Sequence, residues 1–332
     1  MNALPITTQR IEHGGDLAAV GQRFPDAPLP WIDLSTGINP VPYPLPPLPA
    51  DAWARLPARA DEEALIAAAA LRYGVGGVSG IVAAPGTQAL IQILPRLVAK
   101  TRVAVVGPTY EEHELCWRRY GHDVAVVESL DQAGDAEVVV LVNPDNPTGR
   151  LVPTEDLVPP STLLVVDEAF IDLLAPATSL AGRLPPRTVV LRSFGKTYGL
   201  AGLRLGFAIA ETELAAALRA ELGPWAVSGP ALEIGRVALG DEAWLRATAE
   251  RLTADRKQLD DILTGGGFRI AGGTPLFCLA EHPDVPGMVD RLGRNGIHVR
   301  TFRRSPKLMR FGLPGDDAAF SRLAAALSGS SR

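Results

Sequence analysis

Ser193-Phe194-Gly195-Lys196-Thr197-Tyr198-Gly199-Leu200-Ala201-Gly202-Leu203-Arg204 says more than any other stretch of this chain. A single lysine sits between glycines, with a serine three residues before it and an arginine eight after. A lysine amine is a nucleophile toward carbonyl groups. A hydroxyl and the planar donor fork of an arginine suit a phosphate. The segment reads as a place where an amine meets a carbonyl compound that carries a phosphate.

The flanking runs, 189–191 and 205–209, are apolar and strand-like. Similar runs occur at 81–84, 103–106, 124–127, 138–142 and 163–166. Several are continuously apolar, as strands covered on both faces are. Helical stretches alternate with them, beginning with the alanine-rich 61–73, which ends at Gly74, Gly76 and Gly77. The expected fold class is therefore α/β, a mostly parallel sheet sandwiched by helices. After Glu211 the pattern changes. Helices are expected at 214–222, 233–263 and 288–294 and at the carboxy terminus, with strands at 277–280, 297–300 and 308–311. That reads as a smaller α+β domain. We expect an amino-terminal arm over 1–50, a large domain over 51–211 and a small domain over 212–332. Pro40, Pro42, Pro44, Pro46, Pro47 and Pro49 forbid a helix in the arm. It is either a linker or a segment that wraps a neighbour or lines a pocket.

The chain has 332 residues, 47% hydrophobic and 21% charged, with a net charge of −5. This is an ordinary globular profile. It argues against a nucleic-acid partner, and no basic run appears. No apolar run approaches the roughly 20 residues of a membrane span. Two cysteines make no disulfide framework, so a cytoplasmic setting is expected, and residues 1–10 carry no signal-peptide pattern. The five histidines are scattered without metal-ligand spacing, so no metal is expected.

Other candidate residues stand at the ends of the strand-like runs. Asn143-Pro144-Asp145-Asn146-Pro147-Thr148-Gly149 follows one run, and Asn146 has an amide to offer an anionic oxygen. Asp167 ends another and needs a positive partner if buried. Gly86-Thr87-Gln88 opens a helix, whose free N–H groups form an anion site. Tyr110 follows a further run. Each has a plain structural explanation when taken singly: an ordered turn, a salt-bridged aspartate, a helix cap, a closed turn.

Taken together and in this order, Gly86-Thr87-Gln88, Tyr110, Asn146, Asp167, Ser193, Lys196 and Arg204 resemble the fold-type I pyridoxal-phosphate enzymes of the aminotransferase superfamily. The resemblance covers nearly the whole chain. It implies that Lys196 holds pyridoxal 5'-phosphate as a Schiff base and that Asp167 pairs with the pyridinium. It further implies that Asn146 binds the ring oxygen and that Tyr110 stacks on the ring. Gly86, Thr87, Gln88, Ser193 and Arg204 would bind the cofactor phosphate. Arg310, in Leu308-Met309-Arg310-Phe311, stands where the superfamily places an arginine for the substrate carboxylate.

Two branches are close, the histidinol-phosphate aminotransferases and the threonine-phosphate decarboxylases of cobalamin biosynthesis. His13-Gly14-Gly15-Asp16, followed by Trp31-Ile32-Asp33-Leu34-Ser35-Thr36-Gly37-Ile38-Asn39-Pro40, resembles the amino-terminal signature of the decarboxylase branch. Asp167-Glu168-Ala169-Phe170 also resembles that branch, because the aminotransferases usually carry tyrosine where this chain has Phe170. Gly272-Gly273-Thr274-Pro275-Leu276-Phe277 points the same way. The resemblance implies a small phosphorylated amino acid as substrate, contacted by His13, Gly14, Gly15, Asn39, Arg300 and Arg310. Arg303 and Arg304 lie close to Arg300 in sequence and also fit a solvated basic loop. The superfamily implies a homodimer. Leu56-Pro57 departs from a usual tyrosine-proline, which removes one customary contact across the dimer. Amino transfer from histidinol phosphate is the alternative activity. A non-catalytic regulatory protein is a remote third, since it would need a partner domain for which the chain has no room.

Overall fold

A computed structural model describes residues 13–157 and 163–329. Among the described residues, twelve strands form two sheets. They are β1 (Ile32–Leu34), β2 (Ile81–Ala84), β3 (Arg102–Val106), β4 (Asp123–Val127), β5 (Val138–Val142) and β6 (Leu163–Asp167), then β7 (Thr188–Ser193), β8 (Gly206–Ala210), β9 (Arg269–Thr274), β10 (Phe277–Glu281), β11 (Ile297–Thr301) and β12 (Leu308–Gly312). The larger sheet has the order β2-β8-β7-β6-β5-β3-β4. Its pairings are parallel except those of β8, which runs against β2 and β7.

Alternation along a strand sends neighbouring side chains to opposite faces. In β5, Val139 and Leu141 enter one hydrophobic cluster while Val138 and Val140 enter another. Both faces are covered, which is why these strands read as unbroken apolar runs. The ends of β3, β5, β6 and β7 and the start of β8 share one edge of the sheet, and the candidate residues follow from that edge.

The smaller sheet has the order β1-β11-β12-β10-β9 and its own core around Phe277, Phe311 and Leu292. Its first strand comes from the segment expected as an amino-terminal arm. Residues 1–12 of that arm lie outside the described residues. Beyond them Leu17–Arg23 is helical, capped by Asp16 Oδ1, which accepts from the Ala19 N–H. Strand β1 then pairs in parallel with β11, so this segment is built into the small sheet.

One expectation changes. The single helix expected over 233–263 is two helices, Gly229–Leu239 and Glu242–Gly265. The break falls at Gly240-Asp241, where Asp241 Oδ1 accepts from Trp244 N–H and restarts the helix. Strand β9 is an addition to the strands expected at 277–280, 297–300 and 308–311. The turn at 145–149 packs backbone against backbone on it: Gly273 N–H donates to Thr148 O at 2.8 Å. A Cβ on Gly149 would lie 1.9 Å from Gly273 O, so only bare backbone fits there.

Candidate active site

Beta strand β7 ends at Ser193, and one helical turn, Phe194–Thr197, carries Lys196 directly off it. Gly195 is required because its Cβ would come within 2.7 Å of Ala201 Cα. The Lys196 side chain enters a cavity of about 500 Å³ between the two sheets. His13, Gly14, Gly86, Thr87, Gln88, Tyr110, Asn146, Asp167, Ser193, Arg204, Arg300 and Arg310 line the same cavity. The fold thus gathers nearly every candidate residue around one amine.

Asp167 is buried at the end of β6. Its Oδ1 accepts from Ala169 N–H at 3.0 Å, and its Oδ2 lies 2.9 Å from His113 Nε2. His113 is itself buried on the helix Glu111–Arg119. Nothing near it in the chain singles it out among five scattered histidines. Glu168 points elsewhere. It joins Asp172 in pairing with buried Arg192, whose guanidinium lies 4.3 Å from the Tyr73 ring centre. This network ties the ends of β6 and β7 together behind the site.

Asn146 Oδ1 accepts from Arg310 Nη1 at 2.6 Å, which leaves its amide N–H groups as donors. Tyr110 donates its hydroxyl to Gln88 Oε1 at 3.0 Å, and Gln88 Nε2 donates to Glu112 at 2.9 Å. Burial, then the Glu112 and Asp167 charges, push the Tyr110 hydroxyl's pKa up. The tyrosine is therefore a fixed neutral ring on the cavity wall.

Three assignments, Gly86, Gly15 and Asn39, need correction, while Gln88 keeps its backbone role. The Gln88 side chain braces Tyr110, so only its backbone, at the start of the helix Thr87–Leu97, suits a phosphate. Gly86 N–H is bonded to Ala84 O at 2.7 Å, and the residue serves by lacking a side chain: a Cβ there would lie 2.7 Å from an Arg204 nitrogen. Gly15 is not on the cavity wall, and its N–H is committed to Ser35 Oγ at 2.8 Å. Asn39 is also absent from the wall. Its Nδ2 donates to Thr197 O, and its Oδ1 accepts from Arg251 and from Val41 N–H. Asn39 therefore supports the backbone beside Lys196. Arg304 lies off the cavity as well, paired with Glu114 at 3.2 Å.

A phosphate-bearing aldehyde fits what remains. Thr87, Ser193 and Arg204 cluster at one end, with Arg204 held in a left-handed conformation at φ 54°. Buried Asp167 offers a negative charge to a protonated ring nitrogen. Burial, with Arg310 and Arg204 adding to it against Asp167, lowers the Lys196 amine to about 8. Its neutral, nucleophilic fraction therefore grows as pH rises through about 8. We expect trinitrobenzenesulfonate labelling of Lys196 in the apoprotein to show a midpoint near that value. Exposed Lys257, whose amine is held up by its hydrogen bond to Asp261, is followed in its own peptide as the control with a higher midpoint. A Lys196 midpoint equal to that of Lys257 would rule out the lowered value.

Residues 55–327 match the sequence profile described as aminotransferase class I and II. The chain belongs to that family. Within it, the chain is 42% identical over 330 residues to a threonine-phosphate decarboxylase of Pseudomonas aeruginosa, covering 96% of this chain and 98% of the relative. It is 43% identical over 329 residues to a threonine-phosphate decarboxylase of a Sinorhizobium species, with the same coverage. Among solved structures, a histidinol-phosphate aminotransferase of Sinorhizobium meliloti in complex with pyridoxal-5'-phosphate superposes with a TM-score of 0.80. It is 23% identical and covers 98% of this chain and 97% of that one. The aminotransferase fold expected from the Lys196 segment is thus the fold observed.

Proposed function

We propose that the chain catalyses the pyridoxal-phosphate-dependent decarboxylation of L-threonine O-3-phosphate to (R)-1-amino-2-propanol O-2-phosphate, the linker of cobalamin's nucleotide loop. The observation that carries this reading is Arg310. Its guanidinium is buried, yet its hydrogen bonds reach only neutral oxygens, Asn146 Oδ1 and Ser35 O, and its Nε has no partner. Burial, then Arg300, lowers its pKa to about 10 against the pull of Asp33. A buried cation so placed is stabilised by an incoming carboxylate. Arg300, His13 and Gly14 line the cavity as well and suit a phosphate at the substrate's other end. The close relatives' names support the same substrate.

Pyridoxal phosphate, when bound, supplies a carbonyl for the substrate amine and an electron-poor ring that accepts the pair left by a bond broken at the α-carbon. The rest falls to the chain. Thr87, Ser193 and Arg204 would hold the cofactor phosphate. Asp167, fixed by His113 and Ala169, would pair with the ring nitrogen. Arg310 and the His13–Arg300 end grip the substrate at two points, and a two-point grip sets the torsion that decides whether the carboxylate or the α-hydrogen is released. Lys196 is the base or acid within reach of the α-carbon. Phe170, buried against Phe277 with its ring centre 5.7 Å from Lys196 Nζ, closes this side with carbon and no hydroxyl.

A homodimer and a cytoplasmic setting belong to the same reading. Leu45, Trp53, Leu56 and Trp225 are large apolar side chains left exposed, Leu56 at 68%, and both cysteines are buried thiols. The direct test is incubation of cofactor-loaded protein with L-threonine O-3-phosphate and no keto acid. Catalytic release of CO₂ is expected. Amino transfer from histidinol phosphate without CO₂ release would overturn the proposal.

A further inference from the structure

Ser35 joins the two ends of the substrate cavity, and neither the family resemblance nor the strand pattern assigns it a role. It follows β1 and is fully buried. Its carbonyl accepts from Arg310 Nη2 at 2.6 Å. Its hydroxyl accepts from Gly15 N–H at 2.8 Å. The same hydroxyl donates to Asp33 Oδ1, which also accepts from Ser35 N–H at 2.9 Å. A serine hydroxyl has one hydrogen. With that hydrogen spent on Asp33, a lone pair is turned toward Gly15, and the rotor is locked. Gly14 packs on the same residue so closely that a Cβ would lie 2.6 Å from Ser35 O. Gly15 sits at φ 92°, so the turn that presents His13 and Gly14 to the cavity is held by Ser35 from both sides.

We infer that Ser35, oriented by Asp33, is a positioning residue that fixes the distance between the carboxylate anchor Arg310 and the turn His13-Gly14-Gly15 at the phosphate end, and so selects phosphorylated over unphosphorylated amino acids. The inference rests on the proposed reaction. One backbone carbonyl and one hydroxyl of the same residue reach the two ends. Substrates are therefore measured against a short, rigid span, while groups placed on separate elements would let the span vary. Ser35→Ala keeps the carbonyl to Arg310 and removes the hydroxyl, with its links to Gly15 and to Asp33. The damage should therefore fall on the phosphate end.

The experiment compares wild type and Ser35→Ala, both cofactor-loaded, on L-threonine O-3-phosphate and on unphosphorylated L-threonine. For the phosphorylated substrate we expect KM to rise about tenfold, the scale of one lost buried hydrogen bond, with kcat within about threefold. For L-threonine, kcat/KM should stay within about twofold, so the preference for the phosphorylated substrate falls by about tenfold. A residue with a merely structural role would lower both substrates together and leave the preference unchanged; that result overturns the inference. A variant that no longer loads cofactor or melts cooperatively overturns it too, since Ser35 would then belong to folding. No CO₂ from the wild type overturns the proposed reaction and this inference with it. Normal wild-type turnover with an unchanged KM in Ser35→Ala overturns the inference alone.

Discussion

Lys196→Ala is expected to lower turnover of L-threonine O-3-phosphate by at least about a thousandfold, roughly 4 kcal/mol of transition-state stabilisation. Lys100, Lys257 and Lys307 are exposed and none lines the cavity, so no second amine can take over. Tyr110 is a poor proton carrier because its pKa is raised, and its hydroxyl is engaged by Gln88. His113 has its Nε2 on Asp167 and does not line the cavity. The anchors Arg310 and Arg300 are untouched, so substrate affinity should change far less than kcat. Replacing a buried amine by a methyl also removes a desolvation cost, so the melting temperature should not fall. Calorimetric binding and a thermal melt separate loss of chemistry from loss of fold. Turnover within tenfold of wild type would remove Lys196 from the reaction.

Much of this site is legible in the sequence because its residues stand where strands end. The strands announce themselves, since burial on both faces leaves β5 with no polar position at all. Local chemistry then marks the edge: Lys196 one turn past β7, Asp167 closing β6, Asn146 in a proline-rich turn after β5. Partnerships made across long stretches of chain leave no such mark. His113 meets Asp167 across 54 positions, and nothing near His113 hints at it. Asn39 looks like a ligand in its signature. It acts as a brace because Arg251, far along the chain, consumes its oxygen. Strand β9 carries Gly272-Gly273 because Thr148 approaches its backbone closely, a tertiary demand with no mark nearby in the sequence. The three residues of β1 are too few to carry a pattern, and their strand partner is β11 in another part of the chain. The break at Gly240-Asp241 was the exception. Its capping aspartate was visible, but helical periodicity on both sides hid it.

Arg310→Lys should lower kcat/KM for L-threonine O-3-phosphate by about a hundredfold, near 2.7 kcal/mol, the scale of a charged group losing its partner at a buried contact. The guanidinium holds Asn146 with one nitrogen and the Ser35 carbonyl with another. An ammonium is a point charge on a flexible stem and cannot hold both while presenting a fork to a carboxylate. The substitution keeps the charge and removes the geometry. Arg310 is also one of the causes that lower the Lys196 amine, second to burial. Arg310→Lys should therefore leave the labelling midpoint of Lys196 near 8. Arg310→Met deletes the charge as well, and there the midpoint should move upward because a nearby cation no longer disfavours protonation. The pair separates two roles in one residue. If the lysine variant keeps kcat/KM within threefold of wild type, the planar fork is not what holds the substrate carboxylate. If the midpoint stays put in the methionine variant, Arg310 and Lys196 do not share a field.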